Sequence, residues 1–327
     1  MSRCDAVPRA PHGLKNELAL VAWGKTMSLE AEVQRLKSER RALILAHNYQ
    51  LPEVQDVADY VGDSLYLSRK AVDAEDPVIC FAGVRFMAET AKILNPTKTV
   101  LLPDLKAGCG LADSITAEQL RTWKSEHPGS VVVAYINTSA DVKAEADYCC
   151  TSSNAVKIVS QIPPEQEILF LPDMFLGDYV RQKTGRAMHL WTGDCPVHAK
   201  LRPEDLAHAR ATHPGAEVIA HPECGCSTAA LPHVDRILST DGMVRFAEET
   251  RAPEVLVATE VGILHRMRRL NPTTTFTALS EGAVCPYMKQ IDLADIRDSL
   301  AFGQFVIDVP SATAAKARQA LERMIAA

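Results

Sequence analysis

Long apolar runs are missing from this 327-residue chain: no stretch of about 18 such residues occurs, so no transmembrane helix is expected. An excess of positive charge is missing too. The formal net charge of -6 argues against a general nucleic-acid binder, which would present a basic surface. The opening stretch MSRCDAVPRAPHGLKNELAL carries scattered charges and prolines but not the apolar centre of a signal peptide. Residues 1–25 therefore read as a loose tail, and the chain is expected in the cytoplasm, where disulfides are rare. No C-x-x-C pair is present, which removes a spacing that structural zinc sites favour.

What is present fits a globular protein of ordinary make-up, 47% hydrophobic and 23% charged, with length for one large domain or two or three small ones. Nine cysteines stand at positions 4, 80, 109, 149, 150, 195, 224, 226 and 285. The odd count fits poorly with a disulfide framework. Each thiol is then a buried small hydrophobe, a metal ligand or a reactive group.

The chain repeats itself three times. ALILAHNYQ is followed by GDSLYLSRKAV, VVVAYINTS by TSSNAVKIVS, and EVIAHPECG by STDGMVRFAEE. Each segment opens with an apolar run of strand type, places polar side chains where the run ends, and then opens a helical pattern on a small hydroxyl cluster. The polar pairs are His47 and Tyr49, Tyr135 and Asn137, and His221 and Glu223. The hydroxyls are Ser64, then Thr151, Ser152 and Ser153, then Ser239 and Thr240. The second halves match as well. DPVICFAG, QEILFLPD and EVLVATE each lead through a helical pattern and a further strand to a loop with a cysteine. These are Cys109, Cys195 and Cys285, spaced 86 and 90 residues apart.

Strands alternating with helices predict α/β units with parallel sheets, whose ligands bind beyond the carboxyl ends of the strands. Three such domains around a pseudo-threefold axis would share one cavity. Each would supply a polar pair, a hydroxyl-capped helix start and a cysteine. Residues 292–327 read as a closing helix pair resting on the first domain.

Cys109 lies in an exposed-looking turn, and Cys195 and Cys285 each precede a proline that stiffens a ligand-presenting loop. Three thiolates gathered by the tertiary fold suit an iron–sulfur cluster or a zinc ion. A cluster on three thiolates keeps one iron open as a Lewis acid. Cys80, inside VICFAG, reads as core, Cys149 and Cys150 as packing, and Cys4 as part of the tail. His47 is either a satisfied core histidine or a cavity group, and its echo in Tyr135 and His221 favours the cavity. His198 and His265 read as structural or as neighbours that support the site. In AHPECGC, residues 220–226, His221 and Glu223 fall at a strand end and are acid–base candidates. Cys224 points to the opposite side of an extended chain.

The stretches LAHNYQ, VGDSLYLSR, AGCGLADS, YINTSADVKA, CTSSNA, HPEC, STDGM, ATEVGILHR and CPYMK resemble the quinolinate synthase family, in order and over nearly the whole chain. The resemblance implies three pseudo-symmetric three-layer αβα domains with short parallel sheets around a central cavity. Here they would span residues 26–108 plus 292–327, 109–194 and 195–291. It implies a [4Fe-4S] cluster on Cys109, Cys195 and Cys285. It also implies the condensation of iminoaspartate with dihydroxyacetone phosphate to quinolinate, with loss of phosphate and two waters, in de novo NAD biosynthesis. Matching positions are Tyr49, His221 and Glu223 for catalysis, and His47, Ser64, Tyr135, Asn137, Ser152, His198, Ser239 and Thr240 for substrate binding. Iminoaspartate would come from L-aspartate oxidase or aspartate dehydrogenase. The enzyme would be a monomer or homodimer, with neither nucleic acid nor membrane as partner. The departure from the family is Gly225, where proline is more usual, followed by the extra thiol of Cys226: a spectator, a thiol that exchanges with the cluster, or a reversible disulfide partner.

Such chemistry moves protons among carbonyl, enamine and hydroxyl groups, and needs positioned acids and bases. Glu223 and Tyr49 are the candidates, with His221 orienting them or sharing protons. Ser64, Ser152 and Thr240 at helix starts offer hydroxyls and N–H groups to anions. Two other classes fit the residues: a zinc-dependent or cofactor-free α/β enzyme acting on a phosphorylated small molecule, and an iron–sulfur redox sensor or binding protein. The polar pair in every repeat favours an enzyme, because a sensor needs no lined cavity.

Overall fold

The computed structural model describes residues 27–225 and 234–327. The N-terminal tail with Cys4, and Cys226, lie outside the described residues. Three four-stranded sheets follow one another along the chain. The first holds β1 (Ala42–His47), β2 (Tyr60–Gly62), β3 (Val78–Ala82) and β4 (Thr99–Leu101). The second holds β5 (Val131–Tyr135), β6 (Tyr148–Cys150), β7 (Ile168–Leu171) and β8 (His189–Leu190). The third holds β9 (Glu217–Ala220), β10 (Arg236–Ile237), β11 (Glu254–Ala258) and β12 (Thr275–Ala278). In each sheet the spatial order is second, first, third, fourth, and every pairing is parallel. The α/β class expected from the repeats is thus the observed one.

The reason is legible in the strands. The run ALILAH of β1 is buried at all six positions, as a parallel strand covered on both faces by helices must be. The short second strand of each sheet is pinned by one device used three times. Asp59, Asp147 and Asp235, each just before that strand, accept the amide N–H of Ile44, Val132 and Val218 at 2.8, 2.8 and 2.7 Å. Their own amides return hydrogen bonds to the carbonyls of the same three residues. Each aspartate therefore takes part in two strand-like bonds where the edge strand begins, which fixes its register.

Thirteen α-helices occur among the described residues: α1 (Leu29–Arg40), α2 (Pro52–Val57), α3 (Ser64–Asp73), α4 (Arg85–Leu94), α5 (Ala117–Glu126), α6 (Ala140–Lys143), α7 (Ala155–Gln161), α8 (Met174–Thr184), α9 (Pro203–Thr212), α10 (Thr240–Glu249), α11 (Ile263–Leu270), α12 (Leu293–Phe302) and α13 (Ser311–Ala326). Among them no helix is long and apolar enough to cross a membrane. Two of the helices that follow the strands toward the pocket, α3 and α10, are capped by short side chains. Asp63 Oδ1 accepts from Tyr66 N at 2.8 Å to start α3, and Ser239 Oγ from Gly242 N at 3.1 Å to start α10. The closing helices divide their packing. α12 lies on α1 and β3 of the first sheet, whereas α13 spans α3 and α4 of the first unit and α6 and β6 of the second. Asn154 Nδ2 ties the second unit to α13 through Met324 O at 2.9 Å.

Candidate active site

The carboxyl ends of the first strands of the three sheets deliver their polar residues to one pocket. It is lined by His47, Tyr49 and Ser64 from the first unit and by Tyr135, Asn137 and Ser152 from the second. The third unit adds His198, His221, Glu223 and Thr240, and Cys109, Cys195 and Cys285 lie in the same lining. Of the catalytic and substrate-binding positions that the resemblance implies, Ser239 alone is not in it; its hydroxyl is spent on capping α10. His265 lies on the outer surface, 2.9 Å from Asp56 Oδ1.

Units are stitched together across the pocket. Tyr49 Oη reaches from the first unit to Thr259 Oγ1 at 2.6 Å and His198 Nε2 at 3.4 Å in the third. Ser152 Oγ of the second unit meets His221 Nε2 at 3.1 Å, and Ser153 Oγ donates to Asp63 Oδ2 of the first at 2.6 Å. The centre is an acid–base triad. Glu223 Oε2 lies 3.1 Å from His221 Nδ1 and 3.3 Å from His198 Nδ1, and the two imidazoles stack with centroids 4.9 Å apart. His221 Nδ1 also accepts the Glu223 amide N–H at 3.4 Å. The Nε2 of His198 meets Thr259 Oγ1 at 2.8 Å, and that of His221 meets Ser152 Oγ at 3.1 Å. The result is a hydrogen-bonded chain from Tyr49 through Thr259 to His198, whose Nδ1 faces Glu223 Oε2 and Cys195 Sγ.

Burial sets the protonation states. Desolvation, with the neighbouring His221 and Lys289 adding, pushes His47 down to about 3, and desolvation pushes His198 down to about 4. Both are neutral imidazoles near neutral pH. Burial alone would raise the Glu223 carboxyl, but the His221 hydrogen bond and the fields of His198 and His221 outweigh it and hold it below the ordinary carboxylate range. Glu223 is therefore ionised, and its buried Oε1 has no hydrogen-bonding partner among the described residues. Burial drives Tyr49 and Tyr135 in the opposite direction, well above the usual phenol value, so both keep their protons.

The three cysteines share a local geometry that the sequence did not disclose. Each sulfur receives amide N–H groups from the residues two and three places on: Leu111 and Ala112, Val197 and His198, Tyr287 and Met288. Burial nevertheless raises all three thiols, Cys109 to about 12. A thiolate there needs a cationic partner. His198 Nδ1 also lies 3.2 Å from Cys195 Sγ.

Several supporting residues went unread in the sequence. Glu260 is fully buried and lines the pocket. Its Oε1 accepts the Cys285 amide at 3.1 Å and Lys289 Nζ at 3.0 Å, and its Oε2 accepts the Gly262 amide at 2.7 Å. Lys289 also donates to the Tyr49 carbonyl. Asp173 is fully buried, caps α8 through Leu176 N at 2.7 Å, and has an unpartnered Oδ2. Burial and the nearby Glu223 charge push its carboxyl well above the usual range. Cys224 is buried away from the pocket as expected, but a turn closed by its N–H to His221 O, not an extended chain, turns it there; its Sγ meets Ala258 O at 3.1 Å.

Three αβα units that share an acid–base triad, neutral imidazoles and three converging thiols define an α/β enzyme with a lined reaction pocket. The family model described as "Quinolinate synthetase A protein" matches residues 31–326. The chain is 56% identical over 305 residues to the quinolinate synthase of Mycobacterium sp. (strain KMS), covering 90% of each chain. It is 55% identical over 302 residues to that of Thermus thermophilus, covering 91% of this chain and 97% of the relative. It is 54% identical over 305 residues to that of Mycobacterium tuberculosis (strain H37Rv), covering 90% of this chain and 87% of the relative. The chain belongs to the quinolinate synthase family.

Proposed function

We propose that this pocket condenses iminoaspartate with dihydroxyacetone phosphate to give quinolinate, phosphate and two waters, with a [4Fe-4S] cluster held by Cys109, Cys195 and Cys285. The observation that carries the reading is the repeated cysteine turn: three thiols, each with the same two amide donors, line one pocket beside an ionised Glu223.

The donor set fits a cluster better than a single metal ion. A zinc ion on three thiolates brings the sulfurs to about 3.8 Å of one another, given Zn–S bonds near 2.3 Å. The compact donor triads among the described residues, with all ligand atoms within 4.8 Å, are His198/His221/Glu223 and His127/Glu167/His189, and the three cysteines form none. A cluster spreads its thiolates wider, accepts the amide N–H groups at the sulfurs, and offsets the cost of buried thiolate charge. When bound, it supplies a Lewis-acidic iron for a substrate oxygen.

The protein's own groups do the rest. No lysine or arginine is among the described residues lining the pocket. The substrates' carboxylates and phosphate are therefore held by neutral donors: His47, Tyr135, Asn137, and the first-turn hydroxyls and amides of Ser64 and Thr240. Glu223 Oε1 takes protons from the condensing carbon skeleton. His198 and His221 hold Oε2 and keep the carboxylate aimed, and Tyr49, fixed in its protonated form, donates. The division into residues 26–108 plus 292–327, 109–194 and 195–291 follows the three cysteine-terminated repeats. We place the reaction in the cytoplasm of a monomer or homodimer, fed with iminoaspartate by L-aspartate oxidase or aspartate dehydrogenase.

The test is product formation. Brown protein purified without oxygen, with about four irons per chain, is expected to form quinolinate from the two substrates. A colourless zinc protein, or a brown protein that forms none, contradicts the proposal.

A further inference from the structure

At the opposite end of the second sheet from the pocket, three side chains from three elements converge. His127 is the C-cap of α5, Glu167 precedes β7, and His189 opens β8. Glu167 Oε1 lies 2.8 Å from His127 Nδ1 and 2.5 Å from His189 Nε2, and the rings lie 4.2 Å apart. The fold fixes all three backbones. The His127 amide bonds Lys124 O, the Glu167 carbonyl takes the Val131 amide, and His189 pairs with Leu169. Trp123 packs edge-on against His127 at 6.2 Å and against Trp191 at 5.5 Å.

The third repeat provides an internal comparison. There His213, the C-cap of α9, lies 2.9 Å from Oε1 of Glu254, the first residue of β11. The residue that pairs with the position two beyond the glutamate is His189 in the second sheet and Thr277 in the third. Thr277 Oγ1 donates to Glu254 at 3.2 Å. The helix-cap histidine with its glutamate is thus shared by the second and third repeats, and in the third it stands with no second imidazole. His189 is the addition, and it turns a hydrogen-bonded pair into a set of three donors.

We propose that His127, Glu167 and His189 form a peripheral site for a divalent transition-metal ion. Two imidazoles and a carboxylate suit zinc, cobalt, nickel or copper, whereas calcium and magnesium want all-oxygen sets. A tetrahedral ion with bonds near 2.0–2.1 Å spaces its donors at about 3.3 Å. The partly exposed side chains, 23%, 43% and 47% accessible, reach that by small rotations about fixed backbones. The ion would tie the end of α5 to the two-residue edge strand β8, and binding to the folded state alone raises the unfolding temperature.

The test uses tag-free, cluster-loaded protein, so that Cys109, Cys195 and Cys285 are occupied. Titration with Co2+, followed by calorimetry and visible absorption, is expected to show a saturable site with nitrogen–oxygen d–d bands and no thiolate charge transfer. H189T, which copies the third repeat, and H127A, on another element, are each expected to lose the isotherm and the metal-induced rise in unfolding temperature. T277H is expected to gain a second equivalent. Absence of saturable binding in the native chain, binding retained in H189T, or thiolate charge-transfer bands would overturn the proposal.

Discussion

Replacing Cys285 with serine is expected to remove the iron and the activity together. The thiol sits on a loop whose amide is held by Glu260 and whose sulfur takes two further amides, so the position is built to present a ligand. Serine keeps the shape but replaces a soft thiolate with a hard, weakly acidic oxygen, a poor partner for cluster iron. Iron and sulfide analysis of anaerobically purified C285S is expected to fall to background, and turnover with it. The fold should persist, because the side chain is only partly buried and serine keeps its shape. Cys80→Ala is the control. That thiol is fully buried in β3, so its truncation lowers stability by on the order of 1 kcal/mol yet keeps full iron. Retained colour and iron in C285S would contradict the ligand assignment.

Glu223→Gln is expected to separate cluster from catalysis. The amide oxygen still accepts from His198 or His221, so the local packing stands. What disappears is the carboxylate charge, and with it the Oε1 proposed to take protons. Loss of a general base costs about a hundred- to ten-thousandfold in rate. Steady-state assays of E223Q should show that fall in kcat with iron content and absorption spectrum unchanged. Wild-type turnover would remove Glu223 from the mechanism; a lost cluster would make it a support of the metal site instead.

The parts of the site that could be read from the sequence are those that the repeat prints three times. His47, Tyr135 and His221 stand at or just past the ends of β1, β5 and β9, and recurrence marked them as a set. Cys109, Cys195 and Cys285 were marked by spacing. Glu260 and Asp173 escaped although the same rule covers them. Each stands two residues beyond the end of its sheet's third strand, β11 or β7, in the stretches VATE and FLPD. Ligands collect beyond every carboxyl end of a parallel sheet, and reading only the first strand of each repeat left these out. Thr259 and Lys289 carried no such signal, because their roles are contacts between units: one bonds Tyr49 Oη and the other its carbonyl. Asp59, Asp147 and Asp235 went unread although they recur at matching places, because their work of fixing edge-strand register is a matter of hydrogen-bond geometry. Ser239 shows the converse. A hydroxyl at a helix start can cap the helix or face a pocket, and adjacent Ser239 and Thr240 divide so: Ser239 caps α10 and Thr240 lines the pocket.

Anomalous scattering at the iron edge, from crystals grown without oxygen in the presence of quinolinate, tests the central claim most directly. The account predicts one iron peak per chain within bonding reach of Cys109, Cys195 and Cys285, no fourth protein ligand, and quinolinate between that peak and Glu223. An iron peak elsewhere, a fourth cysteine at the cluster, or a zinc edge in place of iron would contradict it.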